Sequence, residues 1–269
     1  MNILIETLKE AIKQTRFIAG CAGKLFGAFC HLMAYPDLAA CGDYEVHWPD
    51  NVSVTRTRSF DVAPGALVAR VSGLDPTVLL PKEAWMLATV QEELEQGRGC
   101  MVLPAQVELL DRLAWVLDQA GIEPVVLRSE KVQPFKREAW IDRHLNRKAR
   151  RVLVTNPTCV QTGLNNLVSL ATSIWYSNPD CKPIVYRQAN GRIHRPGQTL
   201  PVRSLFPLYE HKLTQAGHKL LLHKVGVSLA VDGLDPDAVL EAAGVASEFT
   251  AGLNVGQQLY RMLVDEAGG

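Results

Sequence analysis

From about residue 81 onward, short apolar runs alternate with amphipathic stretches, and this alternation restricts the possible folds more than any other feature. The runs are Cys100-Met101-Val102-Leu103, Val125-Val126-Leu127, Val152-Leu153-Val154 and Ser173-Ile174-Trp175-Tyr176, with a further strand-like piece from Val202 to Leu208. A helix opened by Pro81 precedes them and runs through Trp85, Leu87, Val90 and Leu94 to Gly97, with Pro in the first turn and Gly past the end. Helical stretches from Gln106 to Ala120, Phe135 to Lys148 and Ile184 to His194 separate them. Runs without polar alternation mark strands covered on both faces, and helices between them mean βαβ units. The expected fold class is α/β, a parallel sheet with helices on both faces.

The flanks follow other patterns. Ile5, Leu8 and Ile12, then Phe17, Leu25, Phe26 and Phe29, recur at three- and four-residue steps, so residues 1–43 read as a helical segment stopped by Pro36. Residues 44–80, with Pro49, Pro64, Gly65, Gly73 and Pro76 around β-like pieces such as Leu67-Val68-Ala69-Arg70-Val71, read as a connector or small subdomain. The main domain spans residues 81–232. A helical C-terminal extension, residues 233–269, follows a break at Asp232-Gly233, with helix starts at Asp235-Pro236 and Val245-Ala246-Ser247.

Several function classes are excluded. With 28 Lys and Arg against 28 Asp and Glu, the chain has no net charge for coating nucleic acid, so any such contact is a local patch. The longest apolar stretch, Ile18 to Phe29, is interrupted by Lys24 and is too short to cross a bilayer, and the N-terminus does not resemble a signal peptide. The cysteines at 21, 30, 41, 100, 159 and 181 form no CxxC pair, which fits reduced thiols and a cytoplasmic setting. Cys30, His31 and Cys41 lack a second close pair, so no metal site is expected; His211, His218 and His223 are not expected to be ligands. The sequon Asn51-Val52-Ser53 is read as chance.

The stretch Gln188 to Gln198 carries the most chemistry. On a continuous helix Gln188, Arg192 and Arg195 would fall at i, i+4 and i+7 and project from one face, and Gly191 would permit a close approach to a neighbour. Two guanidinium forks side by side suit a transferring phosphoryl group. Arginines in a last helical turn also complement the helix dipole, and that reading stays open. Upstream, the strand ending at Thr155 runs into Gln161-Thr162-Gly163-Leu164-Asn165, at the carboxyl end of the sheet, where open parallel sheets gather ligands. A basic run, Lys136, Arg137, Arg143, Arg147, Lys148, Arg150 and Arg151 against Glu138 and Asp142, could track a phosphate backbone or be a solvated face. Phe135 and Trp140 are expected in the core.

These residues resemble the C-terminal, second RecA-like lobe of superfamily-two helicases, specifically the Swi/Snf-type DNA-dependent ATPases. Gln188 to Gln198 matches every fixed position of that family's Q-A-x-x-R-x-x-R-x-G-Q motif, Thr162-Gly163-Leu164-Asn165 resembles its G-L-N core, and Cys100 to Leu103 its motif IV strand. The resemblance covers about residues 81–226. The text from Val152 to Pro157 and from Val160 to Leu164 is similar to the Swi/Snf-like helicases of bacterial mobile elements.

The resemblance implies that Arg192 and Arg195 are arginine fingers and that Gln188 couples the lobes near the γ-phosphate. It implies that Gly163 and Asn165, with Thr155 and Thr162, link the nucleotide cleft to the DNA backbone; Lys136, Arg137, Arg147 and Arg150 are the DNA-binding candidates of the basic run itself. The nearest text to a phosphate-binding loop, Gly20-Cys21-Ala22-Gly23-Lys24-Leu25, has the wrong glycine spacing and Leu25 in place of a magnesium-binding hydroxyl. No Asp-Glu-x-His box is present. ATP and Mg2+ are therefore expected only with a first lobe, none being bound by this chain alone, and the implied partners are that lobe and double-stranded DNA, with no membrane. The other reading is a non-catalytic DNA- or protein-binding module that kept the lobe fold. An unrelated α/β enzyme would need a nucleophile, base and orienter set, and none is visible.

Overall fold

A computed structural model describes residues 1–35, 37–145, 151–161, 164–178, 180, 182–235 and 254–265. Pro36, Cys181, the starts at 235–236 and 245–247 and the run of Arg147, Lys148 and Arg150 thus fall wholly or partly outside the described residues. The chain forms two compact units: one of residues 1–78, 212–217 and 246–269, the other of residues 79–211 and 218–245.

In the first unit, α1 (Asn2–Thr15) and α2 (Cys21–Leu32) pack on each other, and α1 also packs on β4 (Leu67–Val71). β4 pairs antiparallel with β1 (Tyr44–His47), and β2 (Thr55–Arg56) with β3 (Asp61–Val62). A helix from the far end of the sequence, Val255–Asp265, lies against α2: the Tyr260 ring meets Phe26 and Phe29 edge-on at 5.6 and 5.8 Å. Their approach needs Gly256, since a Cβ there would lie 2.1 Å from the Phe26 carbonyl oxygen.

The second unit contains the sheet. α3 (Pro81–Glu95) leads into β5 (Cys100–Leu103), followed by α4 (Leu109–Gln119), β6 (Val125–Leu127), α5 (Arg137–His144) and β7 (Val152–Thr155). β8 (Ser173–Tyr176), α6 (Pro183–Ile193) and β9 (Arg203–Leu205) complete it. The next helix, α7, spans Lys212–Val231, which makes the C-terminal helix α8. The five strands lie in the order β6-β7-β5-β8-β9, all parallel, with Cys100 opposite both Val152 and Ser173. All four residues of β5, β7 and β8 are buried, as expected for strands covered on both faces. The expected α/β fold with a parallel sheet is the fold observed. No helix among the described residues is long and apolar enough to cross a membrane.

Buried polar pairs fix α3 to α4 and to the sheet. Glu83 accepts from the Leu80 N–H at 2.8 Å, capping α3, and its carboxylate takes two bonds from Arg112 of α4 at 2.6 and 2.8 Å. At the other end of α3, Glu93 is bound by Arg98 at 2.8 and 2.9 Å, by the Thr172 hydroxyl at 2.9 Å and by Arg203 of β9. Gly99 sits where only hydrogen fits, because a Cβ would lie 1.9 Å from the Leu170 carbonyl oxygen.

Candidate functional site

The segment leaving β7 and the C-terminal part of α6 come together in the second unit. Among the described residues the chain after β7 makes two short 3-10 turns, Pro157–Cys159 and Asn166–Ser169, and no α-helix before β8, so its carbonyls need outside donors. Arg192 supplies them: Nε donates to the Val160 carbonyl at 3.1 Å, Nη1 to Leu164 at 3.4 Å and Nη2 to Gln161. Burial, with the neighbouring Arg195 cation, pushes the half-buried Arg192 below the usual arginine range, and Glu138 acts the other way.

Arg195 also reaches this segment, but not from the helix. α6 ends at Ile193, because Pro196 disfavours helical backbone in the residue before it and Gly197 adopts φ 100°. The expected i, i+4, i+7 face is therefore corrected: Arg195 lies beyond the helix and donates from Nη1 to the Asn165 Oδ1 at 2.7 Å. The Asn165 N–H in turn donates to the Glu138 carboxylate at 3.0 Å, so a chain of bonds runs from α5 to Arg195. Asn166 adds bonds to the Glu138 carbonyl at 3.1 Å and the Asp142 carboxylate at 2.7 Å.

Other motif residues hold the fold. Gln198 donates to the carbonyls of Val168, Ala171 and Ile193 at 2.8, 3.3 and 3.4 Å and accepts from Leu200 N–H at 3.1 Å. Asn190 accepts from the Tyr176 and Ser204 hydroxyls at 2.8 and 3.0 Å, joining α6 to β8 and to β9. Gln188 is exposed. Gly191 has nothing within 4 Å of where a Cβ would stand, so the close approach expected there is absent among the described residues.

The structure separates the expected DNA-facing residues. Lys136 is exposed, its ammonium 5.5 Å from the centroid of the Phe135 ring. Arg137 turns inward, 6% exposed, and donates to the carbonyls of Val132 and Cys159 at 3.2 and 3.1 Å, which withdraws it from a phosphate backbone. Thr155 is fully buried and donates to the Leu127 carbonyl at 2.7 Å. Thr162, Gly163, Arg147 and Arg150 lie outside the described residues. Phe135, expected in the core, is 78% exposed, because the turn Pro134–Lys136 carries it off the buried face of α5. The participants not legible in the sequence are Glu138, Asp142 and Asn166; as sequence the two acids only offset the basic run, and nothing in their spacing marks them as acceptors for a distant loop. No group of three or more His, Cys, Asp or Glu suited to a metal occurs among the described residues.

The arrangement offers a half-buried, bonded guanidinium at Arg192 beside a second at Arg195 that donates from Nη1 to a side-chain amide. A guanidinium carries five N–H groups, so Arg195 retains donors for an anion.

No family model matches the chain. No curated protein matches it either. Among solved structures, the C-terminal part of the Fun30 ATPase domain is similar, with a TM-score of 0.52 and 17% identity over 72% of this chain and 56% of that one. The chain thus spans little more than half of that neighbour, and at this identity the likeness shows the fold.

Proposed function

We propose that this chain is the C-terminal motor lobe of a Swi/Snf-type DNA-dependent ATPase, akin to those of bacterial mobile elements, and that it works only with a first lobe that holds ATP and Mg2+. One observation carries the reading. The Gln188 to Gln198 motif stands on a five-stranded parallel sheet, with Arg192 and Arg195 both directed to the segment that follows β7. In the joined enzyme Arg195 is the finger that meets charge building on the γ-phosphoryl, and Gln188 contacts the other lobe. Asn165 holds Arg195 in place and, through Glu138, ties it to α5, beside the exposed Lys136 that would meet duplex phosphates.

The second reading, a non-catalytic DNA- or protein-binding module, is favoured by Arg192, each of whose three guanidinium nitrogens already donates to a loop carbonyl. One experiment separates the two. Duplex-stimulated ATP hydrolysis is measured after adding a matching phosphate-loop-bearing first lobe. The motor reading expects activity that Arg195→Ala lowers by about 10^3-fold or more. No hydrolysis in any combination sinks it and leaves the module.

A further inference from the structure

Between the end of β6 and α5 lies a groove of about 720 Å³. Its size is in the range of ligand clefts. Arg128, Lys131, Lys136 and Arg143 line it, against the single carboxylate of Glu130. Arg128 is held by Asp111, whereas Lys131, Lys136 and Arg143 are exposed and carry no ion pair among the described residues. The same groove is lined by two aromatic rings. Trp140 is backed by His144, stacked at 4.2 Å with 23° between the planes, and Phe135 is 78% exposed. An isolated apolar residue on a surface means little. Two aromatic residues and several cations sharing one cleft are a different matter, since rings and cations together match an anionic chain that carries flat bases.

We infer that this groove binds single-stranded nucleic acid, its cations following the backbone and Phe135 and Trp140 receiving unstacked bases. A duplex offers the cations phosphates, but its base faces are covered by its own stack and leave the rings without partners. An acidic peptide likewise satisfies the charge and not the rings. Stacking on an aromatic ring is tolerant of sequence, so the site should take most bases. The inference goes beyond the motor reading and does not depend on it, because strand binding needs neither ATP nor a second lobe.

The test is fluorescence anisotropy of the full chain with a labelled oligothymidylate of about 12 nucleotides, the corresponding duplex, and an oligoglutamate competitor. The expected result is preference for the single strand, an affinity cut of about tenfold by Phe135→Ala, and no comparable effect on the duplex. Phe135 is so exposed that its truncation leaves the core intact. Lys131→Ala with Lys136→Ala should instead flatten the salt dependence, by about 0.7 in log–log slope for each phosphate no longer neutralised. Three results overturn the inference: no oligothymidylate binding at low salt, equal weakening for strand and duplex on Phe135→Ala, or displacement by oligoglutamate at matched charge. The last would make the groove a protein-binding surface. A failed ATPase reconstitution would leave all of these readings unaffected.

Discussion

Replacing Glu93 by glutamine removes one charge from the joint between α3, β8 and β9, and the consequence follows from the geometry. The Glu93 side chain is 0% exposed, and burial alone would raise its carboxyl; the hydrogen bonds from Arg98, Arg203 and Thr172 overcome that and hold it at about 2, against an ordinary 4.5. At about 1.4 kcal/mol for each pH unit between those values, the ionised carboxylate contributes roughly 3 kcal/mol. Because the folded value lies below the unfolded one, that contribution is complete above pH 4.5 and is lost as pH falls toward 2. Breaking a buried pair costs about 3–5 kcal/mol. The arginines left behind are 21% and 41% exposed and can be hydrated, so Glu93→Gln should fall near the lower figure. Urea unfolding read by pulse-labelled amide exchange of β5 and β8 peptides reports this unit. At pH 7 the variant should be about 3 kcal/mol less stable, and the gap should shrink by about half by pH 3. A deficit under about 1 kcal/mol at pH 7, or a gap unchanged at pH 3, refutes the reasoning.

Gln198→Ala should destabilise the second unit by about 1–3 kcal/mol, seen in the same assay, since it leaves the carbonyls of Val168, Ala171 and Ile193 without that donor. The Cys100 thiol, fully buried and pushed up to about 12 by that burial, should stay unmodified by iodoacetamide at pH 8 while the exposed Cys41 is alkylated, as mass mapping of the native protein will show.

The sheet is legible in the sequence because β5, β7 and β8 are buried on both faces, so apolar residues run on without alternation and stand out against the amphipathic helices. The pairing of α2 with α8 is not legible, since it joins residues more than two hundred positions apart and leaves no periodic mark. In the site, the motif locates Arg192 and Arg195 but not their partners. A continuous helix from Gln188 to Arg195 is incompatible with Pro196, whose ring restricts the residue before it. Arg137 carries a usable signal: Ile141 is four residues on and fully buried, so both sit on one helix face, and an arginine there points inward. Phe135 misleads for the opposite reason, as an aromatic beside that face which the turn before α5 lifts into solvent.

The place of β5 at the centre of the sheet has a consequence in time. Its neighbours are β7 and β8, so Cys100 pairs with Val152 and with Ser173, and among the described residues no strand made earlier in the chain joins this sheet. At about 5–20 residues per second of synthesis, roughly 2–10 s pass between completion of Leu103 and emergence of Val152. During that interval the most buried strand of the unit has both hydrogen-bonding edges unpaired, and a ribosome stalled there would display an aggregation-prone segment whose two edges are covered only when β7 and then β8, ending at Tyr176, have been made.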